Sequence, residues 1–180
     1  MALYRNFNTA DTQIGKLYRF NGTDNRQIGK MNRFNGTTNT PIYSAAVQLY
    51  PDGGYTFTKG GQHDGSSVTD TLLTAKASAT STYGAVSALI DLTEVKKLIF
   101  TVSEFTPITQ EGTATVGASD RQYPSTVGSY NNNNGIGVAV TGAGEYEVDV
   151  KNLTGEKYVA VSAWTTVGGV TVKVSKIVAE

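Results

Sequence analysis

Apolar and polar positions alternate with a period of two over most of the chain, in short runs separated by turn residues. In Glu145-Tyr146-Glu147-Val148-Asp149-Val150 the acids fall on one face and Tyr146, Val148 and Val150 on the other, facing a core. Val170, Val172 and Val174 alternate in the same way with Thr171, Lys173 and Ser175. Further runs of this kind cover 55–58, 71–79, 86–92, 98–105, 113–119, 136–140 and 158–163. The leucine and alanine of 71–79 also suit a short helix, but nothing sustains the 3.6-residue apolar period of a long one. Roughly eight antiparallel strands without a helical layer must bury their apolar faces sheet against sheet. The pattern therefore predicts an all-β fold, a jelly-roll-type antiparallel β-sandwich over residues 43–180. A closed barrel would meet the same pattern. Runs that are apolar on both sides, such as 157–163, suit central strands. Two segments, 90–102 and 148–161, echo each other as strand, polar corner, strand.

Residues 1–42 follow a different grammar. Leu3 to Lys16, Leu17 to Lys30 and Met31 to Ser44 are three consecutive copies of one 14-residue unit. The second copy is the clearest, with Leu17-Tyr18-Arg19-Phe20-Asn21, then Gly22, then a run ending Gln27-Ile28-Gly29-Lys30. Asn21-Gly22 and Asn35-Gly36 supply the left-handed backbone of a tight turn, so each unit predicts a small β-hairpin. Such hairpins bury too little apolar surface to stand alone and leave their edges open. Leu3, Tyr4, Leu17, Tyr18, Phe20, Ile28 and Phe34 are the apolar positions through which the repeats would attach to a larger assembly or to other copies. Residues 42–50 read as a linking strand before the turn cluster Pro51-Asp52-Gly53-Gly54.

The 180 residues include 20 glycines, 4 prolines and no cysteine, which excludes disulfides, thiolate ligands and a cysteine nucleophile. No basic start followed by an apolar run marks a secretory signal, and no stretch is long and apolar enough to span a bilayer. The expectation is a chain that is neither exported by a signal peptide nor held in a membrane. Net charge is zero, yet residues 1–42 carry six basic and two acidic side chains, a net of +4 balanced by −4 downstream. A basic arm of this kind suits an acidic protein surface. Its cations are spread one or two per repeat rather than gathered beside stacking aromatics, which argues against nucleic acid.

The segments DLTEVKKLIFTVSEF, VDVKNLTGEKYVAVSA and VTVKVSKIVAE resemble the galactose-binding-like or carbohydrate-binding-module-like β-sandwiches found at the ends of tailed-phage structural proteins. The LYRFNGT…QIGK repeats are similar to short N-terminal repeats of phage head-fibre and tail-associated proteins. The resemblance implies a virion accessory, decoration or fibre protein, made in the host cytoplasm and located in the virion. It also implies a homotrimer that contacts other virion proteins. It brings no catalytic residue with it.

Candidate chemistry is sparse. His63, the single histidine, adjoins Asp64 in a glycine-rich turn, but no activated nucleophile completes a constellation, and no enzyme is expected. Asp52, Asp64 and Asp70 lie in loops where a structural calcium ion is conceivable; zinc is not, with one histidine and no cysteine. Glu145 and Glu147 share one strand face that reads as solvated. Asn21, Asn35 and Asn152 open Asn-x-Thr triplets that read as turns. The strongest binding candidate is the polar stretch Asp120 to Gly135. There Tyr123 and Tyr130 could stack on a sugar while Arg121 and Asn132, within the asparagine run 131–134, supply hydrogen bonds. Trp164 is a second platform. On this reading the sandwich would be an adhesin for a host-surface glycan.

Overall fold

The structure, a computed structural model, describes the backbone of 17–20, 25–28, 30–34 and 39–44, and residues 46–180 apart from 63–64, 79–81 and 108–111. The chain divides into two compact units, 1–45 and 46–180. In the first, β1 (Leu17–Phe20) pairs antiparallel with β2 (Asn25–Ile28), and β3 (Lys30–Phe34) with β4 (Asn39–Ser44). The second and third sequence repeats thus each correspond to an antiparallel strand pair, and the expected Asn21-Gly22 and Asn35-Gly36 turns lie outside the described residues. Leu17, Tyr18, Phe20, Ile28 and Phe34 fall on these strands, whereas Leu3 and Tyr4 lie outside the described residues.

The strands of the second unit are β5 (Val47–Tyr50), β6 (Thr58–Gly61), β7 (Ser67–Val68), β8 (Leu73–Ala77), β9 (Thr82–Asp91), β10 (Lys97–Pro107) and β11 (Thr113–Ser119). A one-turn helix α1 (Val127–Asn131) precedes β12 (Ile136–Val140), β13 (Gly144–Asp149), β14 (Glu156–Thr165) and β15 (Val170–Ala179). The ambiguous 71–79 is a strand, and 42–50 is split between β4 and β5. The pairing expected from residue 55 begins only at Thr58, because the turn after Tyr50 runs on to Phe57.

Pairing is nested. β8 pairs with β15, β9 with β14, β10 with β13 and β11 with β12, all antiparallel, as in one long hairpin bent at β11–β12. Rolling that hairpin brings β10 onto β15 and β11 onto β14. The result is an eight-stranded jelly roll. One sheet, here the β15 sheet, has the order β13-β10-β15-β8-β7 with β5 also on β15; the other, the β14 sheet, is β12-β11-β14-β9-β6.

Between the sheets lies the core, built mostly from alternate residues of the strands, with a bulge in β15 after Val174 shifting the next core position to Ile177. Leu73, Ala75 and Ala77 of β8, Val86, Ala88 and Ile90 of β9, Leu98 and Phe100 of β10, and Val172, Val174 and Ile177 of β15 are buried there. Each large aliphatic among them contributes about 1.5–3 kcal/mol by leaving water. Tyr146 packs on the core edge while Val148 and Val150 are buried within it. The echoed corners meet in space: Leu92 N donates to Gly155 O at 2.9 Å, and Gly155 N to Thr93 Oγ1 at 3.1 Å. Asp91 and Asp149 each turn their corner by accepting the N–H two residues on, from Thr93 at 3.0 Å and Lys151 at 3.2 Å.

Candidate functional site

The polar stretch 120–135 packs against the outer face of the β14 sheet. That face is lined by small residues: Ala85 and Ser87 on β9, Ala160 and Ser162 on β14, Thr115 and Gly117 on β11. The five of these that carry side chains are at most 1 % exposed, and none belongs to the inter-sheet core. Tyr130, on α1, is fully buried among them. Its hydroxyl lies 2.8 Å from Ser162 Oγ and donates to Ala160 O at 3.0 Å, while Ser162 Oγ donates to Pro124 O at 2.7 Å. Burial pushes its phenol well above the usual range. Gly137 leaves the room, since a Cβ there would sit 3.0 Å from the Tyr130 ring.

The asparagines of this stretch serve the same packing. Thr126 caps α1 by accepting from Ser129 N at 3.3 Å. Asn131 Oδ1 accepts from Gly137 N, Asn133 Nδ2 donates to Ser129 O, and Asn134 Nδ2 donates to Asp120 Oδ2. Lys157 Nζ reaches Asp120 Oδ1 at 2.5 Å. These bonds, Lys157 first and Asn134 second, hold the Asp120 carboxyl below the usual carboxylate range. Tyr130 therefore cannot stack on a sugar: it is the plug that seats the loop.

Of the other predicted glycan-binding residues, Tyr123 is half-buried, its ring against Gly60 of β6 and its hydroxyl 3.0 Å from Thr58 Oγ1. Trp164 is half-buried on the outer face of β14, in register with Tyr83 and Thr113. Arg121 and Asn132 are exposed. Among the described residues no hydrogen bond or ring contact gathers Arg121, Asn132 and Trp164 into one site.

The outer face of the β15 sheet is a ladder of charge pairs. Lys97 bonds Glu147 at 3.3 Å and Glu180 at 3.1 Å, and Lys173 bonds Glu104 at 2.7 Å. Glu145 and Glu147 thus stand on a solvated face, and Glu147 is spent on Lys97. His63 and Asp64 lie outside the described residues.

A cleft of about 320 Å³ opens where the β5–β6 loop meets the β7–β8 turn. Its floor is Tyr50 and Phe57, rings edge to face with centroids 5.5 Å apart. Tyr55 and Val68 are exposed in its walls, and Asp52 and Asp70 stand at its rim. Tyr50 Oη donates to Thr69 O at 2.6 Å, tying one wall to the other. Thr69 and Leu72 close the turn that carries Asp70, Leu72 N donating to Thr69 Oγ1 at 3.0 Å. Burial, then Thr69, Asp70 and Asp52 in that order, set the Tyr50 phenol, which ends above its ordinary value. The cleft thus unites two of the three aspartates considered for calcium. Among the described residues no three His, Cys, Asp or Glu side chains converge on a metal position.

Compared with protein-family models, with curated proteins and with solved structures, the chain matches none.

Proposed function

We propose that the chain is a non-enzymatic virion component, a head-fibre or decoration protein of a tailed phage, in which residues 1–45 attach and join copies and residues 46–180 are the projecting head. The division into a tandem-hairpin unit and a jelly roll with its own core carries this reading. Hairpins with strands of four to six residues gain stability by being completed from outside. The jelly roll already buries its own core, so the repeats are the part that asks for partners. Their excess of basic side chains suits an acidic docking surface. The resemblance of the LYRFNGT…QIGK units to phage fibre repeats supports the virion as that surface, and jelly rolls recur in capsid and lectin domains. Homotrimerisation is part of the same proposal.

Co-sedimentation tests it. Full-length chain should pellet with virions assembled without it, and residues 46–180 should stay in the supernatant. Pelleting of the jelly roll alone, or failure of the full chain to pellet, would overturn the assignment of attachment to the repeats.

A further inference from the structure

From its lining, we infer that the cleft between the β5–β6 loop and the β7–β8 turn is a saccharide site that takes one neutral pyranose ring. This goes beyond the virion reading and does not depend on it. The carboxylates give the first reason. Among the described aspartates, Asp91 is engaged by Thr93, Asp120 by Lys157 and Asn134, and Asp149 by Lys151. Asp52 and Asp70 accept no hydrogen bond and join no ion pair with a described residue, and both face this cleft. Carboxylates accept from vicinal hydroxyls with charge-assisted bonds, which is what a sugar offers.

Exposed apolar surface gives the second reason. The large apolar or aromatic side chains exposed among the described residues are Val47, Tyr55, Val68, Leu89 and Val167, and two of them, Tyr55 and Val68, line the same cleft. An exposed tyrosine beside acceptors is suited to the C–H face of a pyranose. The site is also preorganised, since the Tyr50–Thr69 bond and the Thr69–Leu72 turn hold its walls before any ligand arrives.

Size and charge narrow the ligand. About 320 Å³ is at the small end of ligand clefts, enough for one ring. Past Phe57 and Val68 the hollow continues along Thr58, Lys59 and Ser67, so a polysaccharide could run on through it. No Lys or Arg lines the cleft itself, and a uronic or sialic acid would set its carboxylate against Asp52 and Asp70 unpaired. Neutral hexoses, 6-deoxyhexoses and N-acetylhexosamines are therefore accepted and acidic sugars refused.

Saturation-transfer NMR on the full chain, with a chelator present, decides the matter. The probes are free glucose, galactose, mannose, rhamnose, N-acetylglucosamine and N-acetylgalactosamine, with glucuronate and N-acetylneuraminate as acidic controls. The expected result is transfer to at least one neutral sugar and to neither acid. Tyr55→Ala should abolish it. Asp70→Asn should weaken it roughly ten-fold, the loss of one charge-assisted bond. Tyr123→Ala and Trp164→Ala should leave it intact. Both cleft residues are exposed, and circular dichroism verifies that their variants fold. No transfer to any neutral sugar, transfer to an acidic one, or transfer unchanged by both cleft variants would overturn the proposal. Because binding is read in solution, its failure leaves the sedimentation result standing, and the reverse.

Discussion

The two outer faces of the jelly roll solve the same exposure problem in opposite ways. On the β15 sheet, long charged side chains stand out into water and pair across strands, as Lys97 does with Glu147 and Lys173 with Glu104. On the β14 sheet, small residues make a shallow bed over which 120–135 is laid and fastened by Tyr130. One face is finished by solvent and the other by the chain itself. Exposed pairs of the first kind contribute little to stability, whereas a fully buried aromatic with a bonded hydroxyl contributes several kcal/mol. The jelly roll buries a core of its own between these faces, which is the ground on which assembly is proposed for residues 1–45.

Tyr130→Ala should separate the faces most sharply. Emptying the bed beneath the loop is expected to cost roughly 3–5 kcal/mol, read as a fall in the urea midpoint. Gly117→Ala comes next. Its Cβ would lie 2.1 Å from Ile136 O, so about 1–3 kcal/mol should be lost, while Gly142→Ala, with nothing within 4 Å, should leave the midpoint in place. Ser87→Ala should act in the other direction. Ser87 Oγ is buried without a hydrogen-bond partner, and removing it is expected to stabilise by up to about 1 kcal/mol.

Charge changes on the β15 sheet should have the smallest effect. Lys173→Met is expected to leave the urea midpoint at neutral pH unchanged within error. The bond from Lys173 holds the Glu104 carboxyl below its ordinary value, as the bond from Lys151 does for Asp149. A carboxyl lowered on folding adds stability that is present above its unfolded pKa of about 4 and is lost as pH falls through the folded value. The urea midpoint should therefore hold at mildly acidic pH and decline only below about pH 4. A decline beginning near neutrality would contradict this.

How far these features were legible depended on side-chain size. Along β13 and β15, large apolar residues alternate with charged or polar ones, so both the strands and their buried faces could be read directly. In Leu73–Ala77 the alternation is present, but two alanines and a lysine do not distinguish strand from helix, and only pairing with β15 decides it. The β14 face was illegible for the opposite reason: Ala160, Ser162 and Gly117 look alike whether bare or covered. Tyr130, set among asparagines, carried no local sign of burial, since its partners Ser162 and Ala160 are some thirty residues away. The cleft was equally hidden. Asp52 and Asp70 were visible as loop carboxylates, but their meeting beside Tyr55 depends on β5 and β8 both pairing with β15.

The central claim is that the finished jelly roll needs no partner and the repeats do. Size-exclusion chromatography with light scattering on the full chain and on residues 46–180 tests it most directly. The account predicts a trimer for the full chain and a folded monomer for 46–180. Two monomers, or a jelly roll that oligomerises without its repeats, would contradict it.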